Sequence, residues 1–275
     1  MRRLSVLLAG SAVACAAHTT PSAGPTPAAR PAAAASARDP SAIRYAEGTG
    51  RYHAVTEVAQ DAMGQAQTFD TQVYFSTALS ASGASVGAVV TIDSMTSNAP
   101  GTEGLAGLRG RTVSLVFSPT GQPVTMTASD TADVALMQAA EGMRELLPRL
   151  PNGPIAAGAT WTDTVVRSVP APDVNLTMTL ARVHRVVGWE DHDGIRALHL
   201  SSIGTYTMTG TGQTQGQTLA FTGSGRNQAQ HFVSAAGVYL GSIGGDTADV
   251  NVNVASAGMQ VTVHRTQHST VTRLP

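Results

Sequence analysis

From residue 43 to the end of the chain, apolar and polar residues alternate with a period of two, the pattern of half-buried strands. In the first half the runs are 51–58, 68–79, 86–95, 111–118 and 124–128. In the second they are 160–169, 175–189, 195–209, 218–233, 238–253 and 259–273. Val73, Phe75 and Thr77 share one face of their run, and Gln72, Tyr74 and Ser76 share the other. Turn-forming residues separate the runs at 62–64, 80–83, 118–121, 190–194, 234–237 and 255–258, and 98–110 is a Gly/Pro-punctuated loop. Several runs reach 12–16 residues, well beyond the usual strand of about five or six. Such long neighbouring strands predict a curled antiparallel sheet, a half-open β-barrel rather than a compact sandwich. Gly204, Gly210, Gly223 and Gly225 then mark bends within it.

One stretch breaks the period. Over 130–147, Leu136, Ala139, Ala140, Met143 and Leu147 fall on one face at helical spacing, with Gln138, Glu141 and Glu145 opposite. Ser129 or Asp130 can cap its first turn, Asp133 suits the positive end of the dipole, and Pro148 and Pro151 end it. The fold class expected is therefore all-β with one main helix crossing the sheet. The turns after Phe117 and Phe232, Ser118-Pro119-Thr120-Gly121 and Ser234-Ala235-Ala236-Gly237, echo one another, but one echo does not make a repeat.

The N-terminus is organised differently. Arg2-Arg3 precedes an apolar run from Leu4 to Val13, a charged region and a short hydrophobic region of the export-signal type, too short to span a bilayer. The only cysteine, Cys15, follows Ala12-Val13-Ala14. This resembles the lipobox of bacterial lipoproteins, with Ala12 where Leu is usual, and the resemblance makes Cys15 the lipid-modified first residue of the mature chain. Residues 16–41, almost wholly Ala, Pro, Ser and Thr, cannot bury an apolar face and form a tether. The expected division is a signal over 1–15, a tether over 16–41 and a single antiparallel β domain over 42–275. Its place is the cell envelope, membrane-anchored through lipid and facing the periplasm; the alternative is plain secretion.

Composition removes several functions. All 17 basic residues are arginine, so no P-loop lysine, Schiff base or Ser-Lys dyad is available. The formal net charge of −1 offers nothing to nucleic acid. Aromatic residues make up only 4%, so the core must come from Val, Leu, Ile, Met and Ala.

Leu150-Pro151-Asn152-Gly153-Pro154 and Gly158-Ala159-Thr160-Trp161 form the most distinctive local pattern. It resembles a group of uncharacterised bacterial secreted or lipid-anchored proteins with a Leu-Pro segment and a Gly-x-x-Trp entry into a second half-sheet. Those in turn look like half-barrel lipoprotein carriers and lipid-binding envelope lipoproteins. The likeness covers the layout of residues 45–273 and about ten residues of motif, and Ala159-Thr160 stands where an acidic residue commonly precedes the Trp. It implies a curved sheet closed by a helix around an apolar concavity able to hold acyl chains, and it brings no catalytic residues.

Four patterns carry chemistry on paper. Gly83-Ala84-Ser85-Val86-Gly87 fits the nucleophile elbow, but a β-branched run follows where the elbow needs a helix. Glu190-Asp191-His192-Asp193-Gly194 gathers three carboxylates and an imidazole, which hairpin-turn chemistry explains. His264 and His268 are four apart, which on a strand separates them by roughly 13 Å, too far for one ion. His184 and His199 flank a hairpin and could pair across it; His53 and His231 have no partner of metal-binding type in the sequence. No metal, no cofactor and no catalytic activity are expected. Trp161 and Trp189 read first as core plugs.

The leading expectation is a non-catalytic envelope lipoprotein that holds a lipid or other apolar ligand in its concavity. Leu136, Met137, Ala140, Met143 and Leu147 line it from the helix, and Trp161 stands at one rim. Methionines such as Met137 and Met143 adapt to mixed apolar ligands. The alternative is a structural or protein-interaction module whose interior is filled by its own side chains. A hydrolase is the third reading, and it needs a convergent Ser-His-acid cluster in a cleft.

Overall fold

A computed structural model describes residues 39–275 apart from 101, 103, 172, 173, 215, 216, 255 and 257. The strands are β1 (Gly48–Ala62), β2 (Gln65–Ser82), β3 (Ser85–Ser97), β4 (Thr112–Phe117), β5 (Pro123–Ala128), β6 (Thr160–Ala171), β7 (Val174–His192), β8 (Ile195–Thr214), β9 (Gln217–Ser234), β10 (Tyr239–Val254) and β11 (Met259–Leu274). A 3₁₀ turn, η1 (Leu105–Leu108), lies between β3 and β4, and α1 (Val134–Met143) between β5 and β6. All eleven strands form one antiparallel sheet in the order β5-β4-β3-β2-β1-β11-β10-β9-β8-β7-β6. Two meanders are thus joined where the first and last strands pair, Arg51 opposite Leu274 and Ala62 opposite Val263. The sheet is curved and does not close on itself, as the long alternating runs predict.

Strand parity sets the two faces. On β7, Leu176, Met178, Leu180, His184 and Val186 are buried while Thr177, Thr179, Ala181 and Val183 face out. The convex face is rich in threonine, whose branched Cβ suits the pleat while its hydroxyl stays wet. Thr177 faces Thr209 and Thr179 faces Thr207, pairs that also knit neighbouring strands. The concave face carries two apolar layers. One includes Phe75, Val90, Ile92, Val113, Leu115 and Phe117 from β2–β4, together with the helix residues Leu136 and Ala140. The other includes Leu176, Leu180, Leu219, Phe221, Val250, Val252 and Val254 from β7–β10.

Glycine decides how tightly the second layer curls. Gly225 on β9 sits opposite Tyr206 of β8, and a Cβ there would come within 2.3 Å of the tyrosine ring. Tyr206 therefore lies across Gly225, reaching Asp246 on β10 with its hydroxyl at 2.9 Å. Gly204 does the same for Arg182, whose Cγ would be 2.7 Å from an added Cβ.

The helix is shorter than the apolar spacing suggests. It runs over Val134–Met143 instead of 130–147, and its N-cap is Asp133, which accepts from Leu136 N at 3.1 Å. Asp130 instead closes a turn by accepting from Ala132 N. Past Met143 the chain tightens, with Arg144 N donating to Glu141 O and Leu146 N to Met143 O, before Pro148 imposes an extended backbone on its predecessor. Leu147 keeps its burial but lies outside the helix. The Ser80–Gly83 turn also moves: β2 continues to Ser82, and Gly83-Ala84 makes the turn.

What positions the site is where α1 lies. It packs against both β5 and β6, the two edge strands of the sheet. The chain then crosses the β4–β5 turn, Leu150 N donating to Thr120 O, and enters β6 through Gly158 and Ala159, which exchange hydrogen bonds with Val186 of β7. The N-terminal segment laces these parts together: the Tyr45 hydroxyl donates to Pro148 O at 2.5 Å and Ala46 N to Gly237 O. Asp39 pairs with Arg196, and Ser41 O accepts from Ile155 N. The tether expected through 41 therefore gives way to the folded domain by residue 39. The expected signal over 1–15, Cys15 and the expected tether as far as 38 lie outside the described residues.

If Gly225 is the space that Tyr206 occupies, Gly225→Ala should lose about 1–3 kcal/mol of unfolding free energy, the usual cost of overpacking. Gly107→Ala, where an added Cβ meets nothing within 4 Å, should stay within about 0.5 kcal/mol of the wild type. Urea unfolding of the two variants checks the contrast; equal stabilities would show that the curl does not depend on that gap.

Candidate functional site

The concave face of the sheet and the segment after the helix enclose a cavity of about 740 Å³. β1 and β2 supply Ala54, Thr56, Val58, Phe69, Thr71 and Val73 to one wall, and β10 and β11 supply Val252, Val254, Val261 and Val263. α1 and the residues after it close one end with Ala135, Ala139, Met143, Leu146, Leu147 and Pro148. At the other end the hairpin tips carry Met63 and Met259, which are 75% and 38% exposed. Met63 has φ +56, a left-handed backbone that non-glycine residues seldom adopt. The cavity therefore runs from an apolar lip at the strand ends to the helix.

Polar side chains cross its middle. His184, Ser202, Asn227, His231, Arg265 and Gln267 all belong to the wall. Register aligns them in rows: Asp163, Arg182, Gly204, Asn227, Asp246 and Gln267 are successive cross-strand partners from β6 to β11. Several polar atoms of this region are buried without a hydrogen-bond partner, among them His231 Nδ1, Asp246 Oδ2, Gln267 Nε2 and Ser269 Oγ, and of these residues His231 and Gln267 line the cavity. Buried polar atoms in native proteins are nearly always satisfied, so His231 and Gln267 single out this stretch of the wall as a candidate for polar contacts from water or a ligand.

At the helix end the belt becomes an ion-pair cluster. Arg182 grips Glu145 through two hydrogen bonds of 2.6 and 3.0 Å and Asp163 through two of 3.1 Å. Arg149 lies 3.1 Å from Asp163, and His184 Nε2 lies 3.2 Å from its other oxygen. Burial alone would raise the Asp163 pKa, but hydrogen bonds from His184 and Arg182 overcome it and hold the carboxyl well below its usual range. Glu145 is likewise held ionised against burial by the charges of Arg182 and Arg167. His231 goes the other way: burial, with help from neighbouring His184 and Arg182, pushes it down from the ordinary 6.5 to about 3. At neutral pH it is an uncharged imidazole.

Of the six residues expected to line the concavity, Met143 and Leu147 do so. Leu136 and Ala140 are sealed in the first apolar layer, and Met137 and Trp161 pack against that layer, half-buried. The reason is rotational: the most apolar stripe of α1 faces the packed sheet, and a neighbouring stripe containing Ala135, Gln138, Ala139 and Gly142 faces the cavity. Trp161 stacks on His184 with ring centroids 5.3 Å apart, a core plug and not a rim.

The other candidates separate in space. Ser85 opens β3 beside a hairpin turn and shares a hydrogen bond with Ser82, with strand following where an elbow needs helix. The 190–194 tip is a turn in which Asp191 accepts from Gly194 N. His264, on the convex face, pairs with Asp249. His199 meets Glu190 and Phe232 while His184 faces the cavity side, so the two do not pair. His53 stacks on Tyr74. Among the described residues there is no group of three His, Cys, Asp or Glu able to hold a metal, and no helix is long and apolar enough to cross a membrane.

No protein-family model matches the chain, and no curated protein matches it. Among solved structures it is similar to the crystal structure of a DUF1329 family protein from Desulfovibrio piger, at 10% identity over 79% of this chain and 84% of that one. The TM-score is 0.19, and a likeness that low bears on neither fold nor chemistry.

His231 gives the site a pH signature. Its folded pKa lies below its unfolded value, so between about 6.5 and 3 the unfolded chain binds the extra proton. Its stabilising contribution is whole above pH 6.5 and drains as pH falls, by up to about 1.4 kcal/mol per pH unit. The stability difference between the wild type and His231→Asn should shrink at that rate from pH 6.5 to 4 in denaturant titrations. Parallel pH profiles would mean that His231 is not held neutral.

Proposed function

We propose that this protein is a non-catalytic lipoprotein of the bacterial envelope that holds an apolar or amphiphilic ligand in the concavity of its sheet. The cavity is the observation that carries this reading. Its volume of about 740 Å³ falls in the range of small-molecule sites, roughly 300–1,000 Å³. Valine, phenylalanine, leucine and methionine side chains dominate its ends, so burial of hydrocarbon at about 25 cal/mol per Å² supplies the affinity. The alternative of a module filled by its own side chains fits poorly with a space of that size.

Ligand occupancy is directly measurable. Native mass spectrometry of the chain recovered from a bacterial envelope should show a stoichiometric extractable adduct, and Val58→Gln should lose it. Val58 is half-buried on the β1 wall and outside the packed layers, so the variant should fold normally. A clean apo mass in the presence of abundant lipid would instead favour the filled-module reading.

Anchoring is proposed through Cys15, acylated at the lipobox-like Ala12-Val13-Ala14-Cys15. Several fatty chains hold a protein at a membrane where one alone is marginal. Cys15→Ser should then move the protein from the membrane fraction to the soluble fraction. Continued membrane residence of that variant would sink the proposal.

A further inference from the structure

The polar belt says what kind of ligand the cavity takes, granted that it is a ligand site. On β11, Arg265 and Gln267 face the cavity next to Val263. Gln267 is only 1% exposed. Its Oε1 accepts from the Arg265 guanidinium, which leaves the amide nitrogen with its hydrogens aimed at no protein atom. Across the ladder on β10, Asp246 is 4% exposed, with one oxygen filled by the Tyr206 hydroxyl. A buried amide left unmade costs about 1–3 kcal/mol, and among the described residues Gln267 Nε2 has no hydrogen-bond partner.

The chemistry of the missing partner follows from the donors. An amide nitrogen only donates, so the atom that meets it is an acceptor, and the adjacent guanidinium prefers an anionic oxygen. To either side the wall is hydrocarbon, with Val58 opposite Gln267 on β1 and Val263 two residues before Arg265 on β11. We propose that the cavity binds an aliphatic chain ending in a carboxylate. One carboxylate oxygen accepts from Gln267 Nε2 beside Arg265, and the chain lies along Val58, Val263 and Val252 towards the lip at Met63. Asp246, next to this head, is inclined to hold its proton because burial raises its pKa, which lowers the repulsion a second carboxylate would meet.

The test compares heads on one chain length. Dodecanoate, methyl dodecanoate and dodecylamine are titrated against a fluorescent apolar probe bound to the exported full chain. Dodecanoate should displace the probe best, the ester more weakly and the amine least. Gln267→Glu keeps size and the bond from Arg265 but replaces donors by negative charge. It should weaken dodecanoate by about tenfold or more, the worth of a charged hydrogen bond, and the ester by less than about threefold. Should that variant unfold, Gln267→Met removes the donors without adding charge and should again penalise dodecanoate most. Equal displacement by all three compounds, or ligand affinities unchanged in the variants, would overturn the carboxylate reading while leaving the cavity a hydrocarbon site. Failure of the probe and of every chain to bind would remove the ligand site itself.

Discussion

The fold depends on what joins the two ends of its sheet. An eleven-stranded sheet that curls without closing has two edges, β5 and β6, each with backbone groups that could recruit another chain. One connection of about thirty residues (129–159) answers both, because α1 packs on both edge strands and its exit segment is bolted to β6 and β7. The bolt is Arg182 holding Glu145 from the exit segment and Asp163 from β6 at once, with Arg149 on the same aspartate. Buried ion pairs contribute little net stability relative to apolar packing, yet losing one partner of such a pair costs several kcal/mol. Their value here is geometric. They tie the segment after the helix to β6 and β7 beside the cavity wall.

That constraint also explains why the interior is not filled. The two apolar layers lie at the ends of the concave face, and between them the small residues Gly204, Gly225, Ser202 and Ala229 stand among the polar belt of Asn227, His231, Arg265 and Gln267. Large side chains that do reach inward, Tyr206 and Arg182, lie flat over those glycines instead of projecting. A curl whose apolar side chains gather at its two ends, with small and polar residues between them, leaves a cavity as a consequence of its own packing.

Much of this was legible from alternation. Eleven runs of period two became eleven strands, because the β-branched and polar residues fall on opposite faces with few interruptions. The helix was legible in kind but not in length: Leu147 continues the apolar spacing, yet Pro148 prevents the backbone from continuing with it. The cavity wall was misjudged because amphipathicity cannot tell a packed core from a lined space. Leu136 and Ala140 form the strongest stripe and went to the core. The polar belt left a weaker trace. Asp246 and Gln267 share the parity of Val250, Val252, Val263 and Val271, so they had to face inward, and a polar residue on an apolar parity is the signal that would have found them.

A belt of this kind has a thermodynamic logic. On the carboxylate reading, a buried donor such as Gln267 Nε2, which has no protein acceptor, gains one when the ligand head arrives. The binding free energy of the right ligand then includes that relief, while a plain hydrocarbon of equal length would fill the space and leave the cost in place. Specificity arises from a difference in buried polar satisfaction and not from shape, which flexible chains share. The same linkage stabilises the loaded protein in proportion to the logarithm of ligand concentration. Glu145, Arg149 and Arg182 themselves line the cavity, so a ligand that fills it meets the ion-pair cluster directly.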